Sequence, residues 1–202
     1  MDATAAVRAL LRAAPDALFI SALGTSTSAL LAASGDGPHL YLSGSMGSAL
    51  AVAIGVAEKR PHRRVVVILG DGETLMGAGS LWSLAGIRPP NLLATVLADG
   101  HYGITGGQPL GVPGMFRDVA EVLGLASAVV HTEAEIIDRT DAFDWPLLLE
   151  IRLDDRSWPG PSPFVDPPVV RWRFEAAASS RLARANRSKR PSRRLGGRAR
   201  PS

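Results

Sequence analysis

Two carboxylates stand where a phosphate-bearing ligand and a divalent cation would need them. Asp71 lies in Gly70-Asp71-Gly72-Glu73, directly after the apolar run Arg64–Leu69 (RVVVIL), and Asp99 opens Asp99-Gly100-His101-Tyr102-Gly103, directly after Leu92–Ala98 (LLATVLA). Both runs read as strands buried on two faces, and in open α/β sheets ligands bind at the carboxyl edge of the strands. Glycines beside each carboxylate allow close backbone approach. A helix expected to begin near Thr74 offers unpaired N–H groups to an anion. Two carboxylates completed by phosphate oxygens suit Mg2+. A third glycine-rich turn, Gly44-Ser45-Met46-Gly47, follows the short run His39–Leu42 (HLYL) and carries one bulky apolar side chain, either core packing or a ligand contact.

These loops need a scaffold that brings them to one edge. Thr4–Ala14 reads as an amphipathic helix stopped by Pro15, Leu18–Leu23 as a strand, and Gly24-Thr25-Ser26 as the cap of a helix through Ala33. Small residues dominate a helix over Ser48–Ala57, and Thr74–Ile87 reads as one helix between the two carboxylate loops. Asp99–Gln108 is a glycine-rich loop. Met115–Leu123 (helix), Ala128–His131 (strand), Glu133–Ala142 (helix) and Trp145–Arg152 (strand) complete the pattern. The alternation predicts an α/β fold, a parallel sheet with helices on both faces.

The 202 residues divide into an expected domain over 1–157, a Pro-rich arm over 158–170 and a basic tail over 171–202. The net charge of +3 conceals an acidic domain: residues 171–202 carry +10 and residues 1–170 carry −7. The tail is rich in Arg, Ser, Gly and Pro and is expected to be disordered and solvated. It interleaves no aromatic residues with its terminal charges, so nucleic-acid binding is not expected. The absence of cysteine excludes disulfides, a cysteine nucleophile and iron–sulfur ligation by this chain. No apolar run reaches the roughly 18 residues of a membrane span, and the N-terminal segment is too short and charged for a signal peptide. A cytoplasmic protein is expected.

Gly70-Asp71-Gly72, with Glu73 next and 25 residues in all before Ala98-Asp99-Gly100, resembles the thiamine diphosphate motif, which opens with Gly-Asp-Gly and closes at an Asn. The likeness extends over HLYLSGSMGSALAVAIGVAEKRPHRRVVVILGDG (39–72) and YGITGGQ (102–108), which are similar to the phosphonopyruvate and sulfopyruvate decarboxylases. The resemblance covers about residues 4–152 and implies Mg2+ ligation by the Asp71 carboxylate, the Asp99 carboxylate and the His101 carbonyl. It implies that Gly72 and Glu73 offer backbone N–H groups to the diphosphate, and that the Gly44 carbonyl, beside Ser45, accepts from the aminopyrimidine. Met46 would wedge under the cofactor and bend its two rings into a V, bringing the exocyclic nitrogen beside the thiazolium carbon. Tyr102, followed by Gly103, would pack against the cofactor. Asp99 departs from the family's Asn and adds a like charge beside Asp71.

The resemblance also implies what is missing. The glutamate that activates the cofactor lies, in the family, in a separate pyrimidine-binding domain, so no catalytic residue is expected in this chain. The implied protein is the diphosphate-binding subunit of a hetero-oligomeric decarboxylase, inactive without a pyrimidine-binding α subunit. It would convert a small anionic 2-oxo acid, phosphonopyruvate- or sulfopyruvate-like, to an aldehyde and CO2. Thr105-Gly106-Gly107-Gln108 would supply some donors to the substrate's anionic end. Two alternatives stand beside this reading: the β subunit of a 2-oxoacid:ferredoxin oxidoreductase, which shares the YG-x-TGGQ stretch, and a degenerate, non-catalytic thiamine diphosphate-binding module.

Overall fold

The computed structural model describes residues 1–35, 37–112, 114–142, 146–161 and 166–180. Its strands are β1 (Leu18–Ser21), β2 (Leu40–Tyr41), β3 (Val65–Gly70), β4 (Leu92–Ala98), β5 (His101–Tyr102), β6 (Gln108–Pro109), β7 (Ala126–Val130) and β8 (Leu147–Arg152). Its helices are α1 (Ala3–Ala13), α2 (Thr25–Ser34), α3 (Ala49–Lys59), α4 (Asp71–Met76), α5 (Gly79–Ile87), α6 (Phe116–Val122), α7 (Glu133–Ala142) and α8 (Pro167–Ser179). Six strands form one sheet in the order β2-β1-β3-β4-β8-β7, every pair parallel. β5 and β6 make a separate antiparallel pair inside the Asp99–Gln108 loop, which the sequence pattern had not resolved.

The apolar runs alternate between two cores, as a sheet covered on both faces requires. Val65, Val67 and Leu69 of β3 face one cluster with Ala53 and Ile54 of α3, Leu84 of α5 and Phe116 of α6. Val66 and Ile68 face the other, with Val7 and Leu10 of α1, Leu30 of α2 and Ile136 of α7. Asn91 pins the entry to β4 by donating from Nδ2 to the carbonyls of Ala57 (3.1 Å), Arg60 (3.0 Å) and Arg63 (2.7 Å). Glu150, 1% exposed in β8, accepts from the Arg117 N–H at the start of α6 and pairs with the Arg152 guanidinium at the end of its own strand (2.5 Å).

Two expectations from sequence need correction. The single helix over Thr74–Ile87 is two: α4 starts three residues earlier, at Asp71 itself, and α5 follows the Gly77-Ala78 link. The division of the C-terminal region at 170/171 does not hold either, because α8 crosses it. Val170, Phe174 and Ala178 recur at four-residue spacing on one face and are buried, and the Arg63 guanidinium donates to the Ala177 carbonyl near its end. Averaging the composition over the tail hid this stripe among the arginines. Residues 181–202 of the expected tail lie outside the described residues.

Candidate active site

β3 and β4 pair directly, with Gly70 opposite Leu97, so the two carboxylate loops leave the sheet side by side. Asp71 becomes the first residue of α4 and is 4% exposed. Its Oδ2 accepts the N–H groups of Asp99 (2.8 Å) and Gly100 (3.2 Å), which joins the two loops. Burial pushes the Asp71 carboxyl up to about 6; the Asp99 and Gly100 backbone N–H groups oppose the rise, and the facing Asp99 carboxylate adds to it. Asp99 holds its own turn, its Oδ1 accepting the His101 N–H (2.8 Å) while His101 Nδ1 lies 2.9 Å from the Asp99 carbonyl.

A cavity of about 120 Å3 opens at this edge. Asp71, Gly72, Glu73, Asp99, His101, Tyr102 and Gly103 line it, and so does Met46 from the turn before α3. Met46 and Tyr102 converge on Gly72. A Cβ there would lie 2.9 Å from the Met46 methyl and 2.9 Å from the Tyr102 ring, so any larger residue must push these side chains aside. Gly44 and Ser45 are not among the lining residues; the Gly44 carbonyl accepts the Met46 N–H (3.0 Å) and the Ser45 carbonyl the Ser48 hydroxyl (2.6 Å). These bonds shape the turn that presents Met46.

The sequence pattern missed the third wall. Leu23, Gly24, Thr25 and Ser26, at the end of β1 and the start of α2, line the cavity with Ile104 and Leu153. β1 is the other neighbour of β3, so its exit loop reaches the same edge. The signal is present, since Gly24-Thr25-Ser26 follows an apolar run as the other two loops do, but the same residue types also fit a helix cap. Ile104 packs over Gly24, where a Cβ would lie 2.7 Å from its Cδ1 and displace that side chain.

The expectation for Thr105-Gly106-Gly107-Gln108 changes. Of these, Thr105 alone lines the cavity, and its hydroxyl bonds the Gln108 amide oxygen (2.9 Å) while Gln108 Nε2 donates to the Thr105 carbonyl (2.8 Å). The pair closes the β5–β6 loop instead of reaching outward. Among the described residues, no Lys or Arg lines the cavity. Two juxtaposed carboxylates, one buried and raised in pKa, with no basic side chain among the lining residues, form a donor set that fits a hard divalent cation.

Residues 24–140 match the model of the C-terminal TPP-binding domain of thiamine pyrophosphate enzymes. The chain is 36% identical over 184 residues to the phosphonopyruvate decarboxylase of Streptomyces viridochromogenes, covering 85% of this chain and 45% of that one. It is 39% identical over 93 residues to sulfopyruvate decarboxylase subunit beta of Methanothermobacter thermautotrophicus, covering 46% and 50%. The chain therefore spans about half the length of these curated relatives, or less. Among solved structures, the thiamine diphosphate-dependent 4-hydroxybenzoylformate decarboxylase of Rhodococcus jostii RHA1 superposes with a TM-score of 0.65 at 25% identity, over 78% of this chain and 33% of that one.

Proposed function

The chain belongs to the thiamine pyrophosphate enzymes, as their C-terminal TPP-binding domain, and from that premise we propose that it is the diphosphate-binding half of a decarboxylase acting on a small 2-oxo acid. One observation carries the reading: the strand-end carboxylates of Asp71 and Asp99 line one cavity with Met46 and Tyr102, their loops joined by the Asp99 N–H donating to the Asp71 carboxylate. Asp71, Asp99 and the His101 carbonyl would hold Mg2+, and the first-turn N–H groups of Gly72 and Glu73 would face the diphosphate. When bound, thiamine diphosphate supplies the electron sink for loss of CO2 from a 2-oxo acid.

The rest of the work falls to the chain's own side chains. Met46 stands over Gly72, where it would serve as the wedge that bends the bound cofactor, with Tyr102 backing it. Leu23, Ile104 and Leu153 keep water from that wall. Among the described residues no Lys or Arg lines the cavity to pair with the far end of a phosphono- or sulfo-bearing substrate. Recognition of that anion, and the activating glutamate, belong to a pyrimidine-binding half on a separate α subunit, giving a hetero-oligomer. The relative named sulfopyruvate decarboxylase subunit beta supports this division. The oxidoreductase reading has less behind it, because the relatives above carry decarboxylase names.

The test is calorimetric titration of thiamine diphosphate into the chain with Mg2+ and then with EDTA, alone and with a co-expressed candidate α subunit. Mg2+-dependent binding that tightens with the partner supports the reading and justifies screening 2-oxo acids for CO2 release. Absence of binding in every combination refutes the reading and leaves a degenerate module that acts as a scaffold and no longer holds the cofactor.

A further inference from the structure

We propose that Glu73 is a positioning residue: its carboxylate locks the Met46 turn to the helix that carries Asp71, and so sets the spacing between the wedge and the metal end of the cleft. The proposal rests on the thiamine diphosphate reading above. Sequence assigned Glu73 only its backbone N–H, and the structure gives its side chain a separate task. Glu73 is 6% exposed. Its Oε2 accepts the Gly47 N–H (2.8 Å) and its Oε1 the Ala49 N–H (3.1 Å), so both oxygens are committed to a segment 24 to 26 residues away.

Ala49 opens the 11-residue α3, and its N–H is one that the helix cannot pair internally. A carboxylate there also suits the positive end of the helix dipole. Among the described residues no basic group forms a salt bridge with Glu73, so the buried charge is met by backbone N–H groups. These two are the hydrogen bonds that join the turn to α4 among the described residues. The contact around them is close: Gly47 sits at φ +87° with its carbonyl 2.2 Å from where a Gly77 Cβ would stand. Gly47 follows Met46, whose methyl rests on Gly72, the residue between Asp71 and Glu73. Any slack in the Glu73 contacts is transmitted to the wedge within one residue. An amide would not substitute, because its NH2 would face one of the two N–H donors.

The experiment titrates wild type, Glu73→Gln, Met46→Ala and the double variant with Mg2+–thiamine diphosphate and, separately, with Mg2+–pyrophosphate, which engages only the metal end. Glu73→Gln is expected to weaken thiamine diphosphate about tenfold, the worth of one charge-assisted bond. Pyrophosphate affinity should stay within about twofold, and the double variant should lose no more than Met46→Ala alone, because the two residues act through one contact. Equal weakening of both ligands, or additive losses in the double variant, would overturn the proposal. Backbone amide exchange on the wild-type chain keeps it testable if Glu73→Gln does not fold: Gly47 and Ala49 should be protected, and free exchange at both refutes the lock. A wild type that binds neither ligand refutes the proposed function instead, and the exchange result then decides the Glu73 contact by itself.

Discussion

Replacing Gly77 by Ala tests the packing that underlies the site. Gly77 has φ −95° and ψ 18°, which an alanine adopts without strain, so any effect is steric. The new Cβ would stand 2.2 Å from the Gly47 carbonyl oxygen, 2.9 Å from its carbon and 3.0 Å from its Cα. All three are backbone atoms, and no side-chain rotation relieves the overlap. The Met46 turn must move away by about 1 Å to restore ordinary contact, which costs about 2 kcal/mol as overpacking. The same displacement stretches the 2.8 and 3.1 Å bonds to Glu73, a further loss of about 1.5 kcal/mol. The restricted unfolded chain of an alanine returns about 0.7 kcal/mol. The expected net loss is about 3 kcal/mol, read as a urea midpoint lowered by about 1.5 M at unchanged slope. Gly79→Ala is the control, since nothing lies within 4 Å of its Cβ position at the start of α5; it should gain up to about 1 kcal/mol. A Gly77→Ala midpoint equal to wild type would show that the turn is not held against α4 and would undo the geometry from which the wedge position is argued.

Three further outcomes are expected. Asp71→Asn preserves shape but removes the buried charge, and should weaken Mg2+-dependent thiamine diphosphate binding by about 100-fold with unchanged far-UV circular dichroism; retained tight binding would remove Asp71 from the metal site. Asn91→Ala leaves three carbonyls without their shared donor and should cost about 2–3 kcal/mol in denaturant unfolding, so a loss below about 0.5 kcal/mol would contradict the pinning role. His39, packed edge-on against Phe19 and Tyr41, is held by burial well below its usual range, at about 4. The unfolded chain therefore binds the extra proton between pH 6.5 and 4, and stability should fall by about 2.5 kcal/mol from pH 7 to pH 4.5. His39→Phe should remove that share of the slope, and an unchanged pH profile would refute it.

The β-branched runs and their glycine-flanked carboxylates determined most of the fold and the floor of the site. A six-stranded sheet buried on both faces writes itself as continuous apolar stretches, and a strand-end rule then picks out Asp71 and Asp99 without coordinates. Local pattern could not decide which strands are neighbours. Placing β1 beside β3 is what brings Gly24, Thr25 and Ser26 to the cavity, and that adjacency is a property of the whole chain's packing. The break between α4 and α5 is equally non-local: Gly77 lies against Gly47, thirty positions earlier, so helix periodicity ran straight through it. The stripe Val170, Phe174, Ala178 had a helical spacing in the sequence, yet a basic, Pro-rich composition masked it until α8 packed on the sheet. Composition and spacing report what a residue can do. Whether Glu73 spends its carboxylate on the cofactor or on the turn that shapes it was decided only by tertiary contacts, because the two N–H groups that claim it arrive from a distant part of the chain.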